Sequence, residues 1–354
     1  MQNVQQASIY VGIDAHSETC TFCAIDPSGK TLMRQTVETG IQSLQAAAGQ
    51  LPEGAWAMVE SSAMAIFVKE ALDGVFDRVI VCETRENRLI SKSDDKSDDK
   101  DAWRLARLLR MGEFKEVHVP GRPRQDIREL VRAYQKTVSD AVRAKNRLNA
   151  LFRKHGIRIT DSVYGDGRQD ALKQLDRPGL QPVFEALYGI LDAAEEAKDS
   201  LGHALRARLS HTKEYKLLKT IPGIGPVCAA IMVAVIDRPD RFPDKRHLWS
   251  YAGIGASVRS SGKGLVIKKG MNHGNRLLKH AAMTAAQCAI KGDNRFARHY
   301  QTMMEENKDP DPKKVRITSA MAKKTAARSI LATALALWKT GTEYRENAQA
   351  KKSA

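Results

Sequence analysis

Residues 8–14 (SIYVGID) are apolar at almost every position, the pattern of a strand covered on both faces and central in its sheet. Residues 18–26 and 30–37 read as two further strands around a Pro27-Ser28-Gly29 hairpin turn. A helix over 41–50, a strand over 55–60 (AWAMVE), a helix over 63–75 and a short strand over 78–82 (RVIVC) follow. The polar, basic stretch 84–97 reads as a loop. Residues 99–111 (DKDAWRLARLLRM) place Trp103, Leu105, Leu108 and Leu109 on one broad helical face. Three strands followed by alternating helices and strands predict an α/β unit with a mixed sheet.

Beyond Gly121–Arg124, which reads as a hinge, the period changes. Ile127, Leu130, Val131, Tyr134, Val138, Ala141, Val142, Leu148, Leu151 and Phe152 recur at helical spacing, so 126–154 predicts one long amphipathic helix. A second helical block covers about 182–218, and the polar 160–181 joins the two, an arrangement suited to an antiparallel coiled coil. Such a stripe is first of all a packing seam. The basic residues on the first helix (Arg128, Arg132, Arg143, Lys145, Arg147) suit either a solvated face or one that contacts phosphate. From Lys216 the chain runs KLLKTIPGIGPVCAAIMVAVI, two apolar helices separated by Ile221–Pro226. Helices over 276–291, 294–306 and 316–339 complete the pattern, ahead of a frayed polar tail.

Charge sharpens this division. Residues 1–120 hold 13 Lys+Arg against 18 Asp+Glu, a net of −5, whereas the remainder holds 44 against 23, a net of +21. The overall +16 points to an anionic partner, most often nucleic acid. The expected organisation is an acidic module at 1–120, a helical segment at 121–215, a basic domain at 216–340 and a flexible tail at 341–354. Five cysteines, of which only Cys20 and Cys23 are spaced CxxC, make no zinc set and no disulfide framework, and they fit a reducing cytoplasm. The N-terminus lacks a secretory pattern, and the longest apolar run, Val227–Ile236, is too short to span a bilayer. A cytoplasmic protein with no membrane partner is expected, nucleoid-associated when bound to DNA.

Three features carry candidate chemistry. Asp14 and Glu60 each end an apolar strand, and Asp98 and Asp101 share a face at the start of a helix. Carboxylates converging from such positions suit a hard cation such as Mg²⁺, singly or as a two-ion phosphoryl-transfer site. Acids in a first helical turn are also favoured by the helix dipole alone, and spacing does not choose among Asp94, Asp95, Asp98, Asp99 and Asp101. The second feature, Pro222-Gly223-Ile224-Gly225, resembles a helix-hairpin-helix turn, in which Gly223 and Gly225 let backbone N–H groups hold a phosphate; charge and position favour this over the alternative of an ordinary Pro/Gly connection. The third is the stretch 251–279, where six glycines accompany Arg259, Lys263, Lys268, Lys269, Arg276 and Lys279. Such a segment lets backbone approach phosphates while cations neutralise them.

The runs YVGIDAHSE around Asp14, VESS around Glu60 and KSDDKDAWRLA at 96–106 resemble the DEDD transposases of the IS-one-ten family. IPGIG and the YAG…SSGK…KKG…GNRLL pattern resemble the family's C-terminal domain. The resemblance implies an N-terminal RuvC-like (RNase H-like) α/β domain, a long helical coiled-coil segment and a mainly α C-terminal domain. It selects Asp14, Glu60, Asp98 and Asp101 as catalytic Mg²⁺ ligands. It also implies Ser261 as nucleophile, with Ser260 as the neighbouring alternative. Further implications are donor and target DNA as substrates, an element-encoded guide RNA, and dimers that assemble to a tetramer. Two rival readings stand beside it: a RuvC-like junction nuclease that uses water and only the carboxylates, and a non-catalytic basic nucleic-acid-binding protein.

Overall fold

The computed structural model describes residues 7–83, 98–175, 177–260, 266–270, 273–306 and 317–346. Two compact units form, Met1–Pro120 and Gly121–Ala354.

In the first unit, β1 (Ile9–Ala15), β2 (Thr19–Ile25), β3 (Thr31–Glu38), α1 (Ile41–Ala48), β4 (Ala55–Glu60), α2 (Ala65–Leu72), β5 (Arg78–Cys82) and α3 (Asp98–Met111) follow in that order. The five strands make a mixed sheet in the order β3-β2-β1-β4-β5. β1 pairs antiparallel with β2 and parallel with β4, so the strand apolar on both faces is indeed central. Its alternate residues serve two cores: Ile9, Val11 and Ile13 pack with Leu44, Val68 and Leu72 of α1 and α2, whereas Tyr10 packs with Leu105, Leu108 and Leu109 of α3. Cys20 and Cys23, three apart on β2, fall on opposite faces for the same reason. β3 alternates between exposed and half-buried positions, as an edge strand does.

The second unit begins with α4 (Arg122–Lys154), 33 residues and about 50 Å long. The stretch read as a hinge is therefore the start of a helix. Gly121 is its N-cap and Pro123 sits in its first turn, where the missing N–H costs nothing. A short α5 (Arg168–Gln174) lies within the polar connection, and α6 (Gln181–Leu209) returns antiparallel to α4. Arg208–Asp126 at 3.1 Å and Lys145–Glu195 at 2.8 Å tie the two helices together. The predicted single block 182–218 is broken at 210–212, and Thr212 starts α7 (Lys213–Lys219).

Then come α8 (Pro226–Ile236), α9 (Lys245–Tyr251), β6 (Ala256–Ser260), β7 (Val266–Gly270), α10 (Arg276–Ala289), α11 (Arg295–Glu306) and α12 (Ser319–Thr340). α8 is buried at every position from Cys228 to Ile236, as a helix apolar all round must be. Alanines 281, 282, 285, 286 and 289 of α10 and alanines 326, 327 and 334 of α12 allow close helix packing in the same core. Ile127 and Val131 of α4 join that core, so the boundary expected at 215/216 lies inside one compact unit. The pattern of residues predicts no strand in the Gly/Ser-rich stretch 251–279. Nevertheless β6 and β7 form an antiparallel ribbon within it, with Val258 opposite Lys268.

Candidate functional site

Asp14 and Glu60 meet because their strands do. Ile13 is in register with Val59 across the parallel β1–β4 pair, so the next residue on each strand brings the two acids side by side. Both lie on the face that carries α3, since Gly12 and Met58, two residues earlier, face that helix. At Gly12 the approach is extreme: an added Cβ would lie 1.9 Å from the Ala102 carbonyl oxygen and 2.4 Å from the Ala106 nitrogen. The helix direction follows from its other end, where Arg110 donates to the Pro27 carbonyl at 3.2 Å. That turn follows Ile25, which pairs with Tyr10 near the start of β1. The first turn of α3, carrying Asp98 and Asp101, therefore overlies the C-terminal ends of β1 and β4. All four predicted acids come to one end of the sheet.

Asp14 is the only Asp or Glu buried among the described residues, 8% exposed. Such a charge needs a partner, and the His16 ring lies 3.2 Å from its Oδ2. Its negative charge and that of Glu60 help to raise the Cys20 and Cys82 thiols respectively, although burial is the larger cause for both. Asp101 pairs with Arg104 at 2.8 Å. Asp98 is described at the level of backbone only. Among the described residues no three His, Cys, Asp or Glu side chains are gathered closely enough to make a metal cage. The donor chemistry nevertheless fits a hard divalent cation: carboxylate oxygens, one of them buried, at the positive end of a helix.

In the second unit the ribbon β6–β7 rises from between α9 and α10, and two glycines pin its root. A Cβ on Gly274 would meet the Gly253 nitrogen at 2.4 Å, and one on Gly253 would meet the His273 carbonyl oxygen at 2.8 Å. Asn275 N–H donates to the Tyr251 carbonyl at 2.7 Å beside them. Ser260 ends β6 opposite Val266, the first residue of β7. Ser261 and Lys263 lie outside the described residues, and the side chains of Arg259, Lys268 and Lys269 do as well. Arg276 is exposed in the first turn of α10.

Gly223 and Gly225 differ. A Cβ on Gly223, at φ +87°, would lie 2.2 Å from the Ala285 carbonyl oxygen, so packing against α10 accounts for it without a ligand. Gly225, the N-cap of α8, has open space around it.

The α4 cations are mostly committed to structure. Arg128 donates to the carbonyls of Ala234 and Val235 at the end of α8, at 2.7 and 3.3 Å. Arg132, Arg143 and Lys145 pair with Glu129, Asp140 and Glu195. Sequence spacing did not reveal the role of Arg128, whose acceptors are more than a hundred residues away.

Residues 11–156 match a family model described as a transposase of the DEDD IS110 type, and residues 215–301 match one described as the transposase IS116/IS110/IS902 family. The chain belongs to this family. A 43.6 kDa uncharacterized protein of insertion element IS110 from Streptomyces coelicolor is 27% identical over 165 residues, 47% of this chain and 38% of that protein. A putative transposase y4qE from Sinorhizobium fredii is 27% identical over 176 residues, 48% of this chain and 41% of that protein. The chain thus spans about four-tenths of the length of these two relatives. The IS116 protein of Streptomyces clavuligerus, described as an uncharacterized 44.8 kDa protein, is 23% identical over 338 residues, 80% of this chain and 84% of that one. All four acids of this family member fall in the first matched region, and the ribbon with its two root glycines falls in the second. α12 lies outside both.

Proposed function

We propose that this chain is an insertion-sequence transposase that cuts and rejoins DNA by Mg-assisted serine attack on phosphodiesters. The observation that carries the reading is the gathering of Asp14, Glu60 and the first turn of α3 at one end of a five-stranded mixed sheet, an arrangement compatible with an RNase H-like domain. Asp14, Glu60, Asp98 and Asp101 hold the cation. Mg²⁺ bound there supplies Lewis-acid polarisation of a phosphoryl oxygen. Ser261 bonds to phosphorus while the bond to the departing sugar oxygen breaks, and the hydroxyl proton ends on that oxygen. The phosphoserine link keeps the bond energy, so attack by a new sugar hydroxyl rejoins the strand and frees the serine.

Arg259, Lys263, Lys268, Lys269 and Arg276 neutralise the phosphates around this step. Gly225 offers the α8 N-terminus to another phosphate, as a helix-hairpin-helix would. An element-encoded guide RNA pairs with donor and target DNA, so that sequence is read by base pairing and the protein reads backbone and shape. The α4–α6 arm is the element through which dimers form and assemble to a tetramer. Among the described residues no helix is long and apolar enough to cross a membrane; the protein works in the cytoplasm, on the nucleoid when bound to DNA.

The test is transposition of the element in cells with Ser261→Ala and Asp14→Ala variants, both expected to be inactive. Undiminished exchange with Ser261→Ala removes the serine mechanism and leaves a nuclease that uses water. Undiminished exchange with Asp14→Ala removes the catalytic reading altogether.

A further inference from the structure

The faces that α10 and α12 turn away from the core carry charge of one sign only. Neither helix contains an Asp or Glu, and neither do α8 and α9, which pack against them. α10 carries Arg276 and Lys279, three apart and both exposed; α12 carries Lys324 and Arg328, four apart and half-buried. No carboxylate among the described residues partners Arg276, Lys279 or Lys324. Of the acids in neighbouring segments, Asp237 pairs with Arg124, Asp244 with His247, and Asp293 and Glu346 with Arg298, whereas Glu305 and Glu306 stand exposed at the end of α11 and form no ion pair with these cations.

These cations also stand at a defined place. Arg328 Nε donates to the Ile254 carbonyl at 2.6 Å, and Trp249 Nε1 donates to the Arg328 carbonyl at 2.8 Å. Ile254 is two residues before β6, and Arg276 is two residues after Gly274, so the cluster surrounds the root of the ribbon. Burial lowers the pKa of Lys324, and the like charges of Arg328 and Lys279 lower it further. Cations held together in this way gain from an external anion that relieves their repulsion.

We propose that Lys279, Lys324 and Arg328, flanked by Arg276, form a phosphate-holding surface that grips the sugar-phosphate backbone of a nucleic acid where the ribbon leaves the helical core. The surface commits to phosphodiester chemistry because several cations without internal acids suit a run of regularly spaced anions better than a single carboxylate. It rests on the transposase reading for its purpose, which is to hold the strand that the ribbon meets. Two of its three central residues, Lys324 and Arg328, lie beyond the residues matched by the family models.

The experiment uses the full chain with two fluorescent probes, a 30-base-pair DNA duplex and an RNA hairpin of similar size. Binding is followed by anisotropy across a salt series. Removing one cation that neutralises a phosphate flattens the slope of log K against log salt by about 0.9 on duplex DNA and about 0.7 on single strands. The double variant Lys279→Gln/Lys324→Gln is expected to flatten the DNA slope by about 1.8 and to weaken binding about tenfold or more near 0.1 M salt. Lys279→Arg/Lys324→Arg is expected to keep both, with matching thermal denaturation showing that all variants fold. A loss confined to one probe assigns that nucleic acid, and a loss with both assigns the shared backbone. Unchanged slopes with both probes overturn the proposal. The two readings fail separately: unchanged slopes beside an inactive Asp14→Ala variant remove only this surface, while a flattened slope beside active Asp14→Ala and Ser261→Ala variants removes only the catalytic reading.

Discussion

The carboxylate end of the first unit and the α10–α12 face of the second present charge in opposite ways. In the first, few charges are placed with high definition: Asp14 is buried on a central strand, Glu60 is set beside it by register, and Asp101 is held by Arg104. In the second, cations stand on the surfaces of two helices that themselves carry no acid. Chemistry needs groups fixed to a fraction of an ångström, which strand ends deliver. Holding a polyanion needs net charge spread over an area, which helices packed through alanine deliver. Both regions use the same device to hold their shape, a glycine beneath a helix backbone: Gly12 under α3 and Gly223 under α10.

The largest effect that sharpens this contrast is expected from Asp14→Asn. Strand exchange should fall by more than about 100-fold, since loss of even an outer partner of a metal ligand costs about 10- to 100-fold. Salt-dependent DNA binding, measured by anisotropy, should stay the same. Chelation of divalent cations should reproduce that pattern.

Next come the two glycines. Gly223→Ala meets the Ala285 carbonyl at 2.2 Å from a left-handed backbone, so crowding and strain each cost about 1–3 kcal/mol. Gly12→Ala carries only the crowding cost, about 1–3 kcal/mol, but moves α3 and therefore Asp98 and Asp101. Thermal denaturation should rank Gly223→Ala as the more damaging, whereas strand exchange relative to folded protein should suffer more from Gly12→Ala.

A smaller contrast lies within α4. Arg128→Ala leaves the Ala234 carbonyl at the end of α8 without its side-chain donor, while Val235 keeps Arg241 at 3.0 Å, and should cost about 1–3 kcal/mol. Arg132→Ala removes an exposed ion pair and should cost under about 1 kcal/mol. Urea denaturation of the two variants checks the difference.

The smallest effect concerns acid. The His247 ring, followed by the N–H groups of His247 and Arg246, pulls Asp244 down to about 2. A carboxyl depressed in the folded state adds stability above the usual carboxylate range and loses it as pH falls through about 2. Asp244→Asn keeps an N-cap but has no such titration. The gap in Tm between wild type and variant should therefore shrink as pH is lowered from about 4 to about 2.

The periodic elements were legible because burial imposes the period directly. A strand covered on both faces reads SIYVGID, and an α3 packed on one side reads WRLARLL. Asp14 and Glu60 were legible as strand ends, though their adjacency depends on the β1–β4 register, which no local pattern encodes. The ribbon escaped because its strands are five residues each, rich in serine, lysine and glycine, and lack an apolar alternation. Pro123 was the available sign that 121–124 begins a helix, since proline favours a first turn. Gly223 read as a phosphate contact when only the fold shows α10 lying against it. The cluster of Lys279, Lys324 and Arg328 was hidden for the same reason, as it joins residues more than forty positions apart on two helices.

The most direct test of the central claim is to trap the protein–DNA intermediate on the element's own DNA, with a nick that lets the departing strand diffuse away. Denaturation-resistant protein–DNA product is then digested and the modified peptide identified by mass. The account predicts a nucleotide on Ser261, abolished by Ser261→Ala and by Asp14→Ala. Active exchange with no covalent product, or a nucleotide on any other residue, Ser260 included, would contradict it.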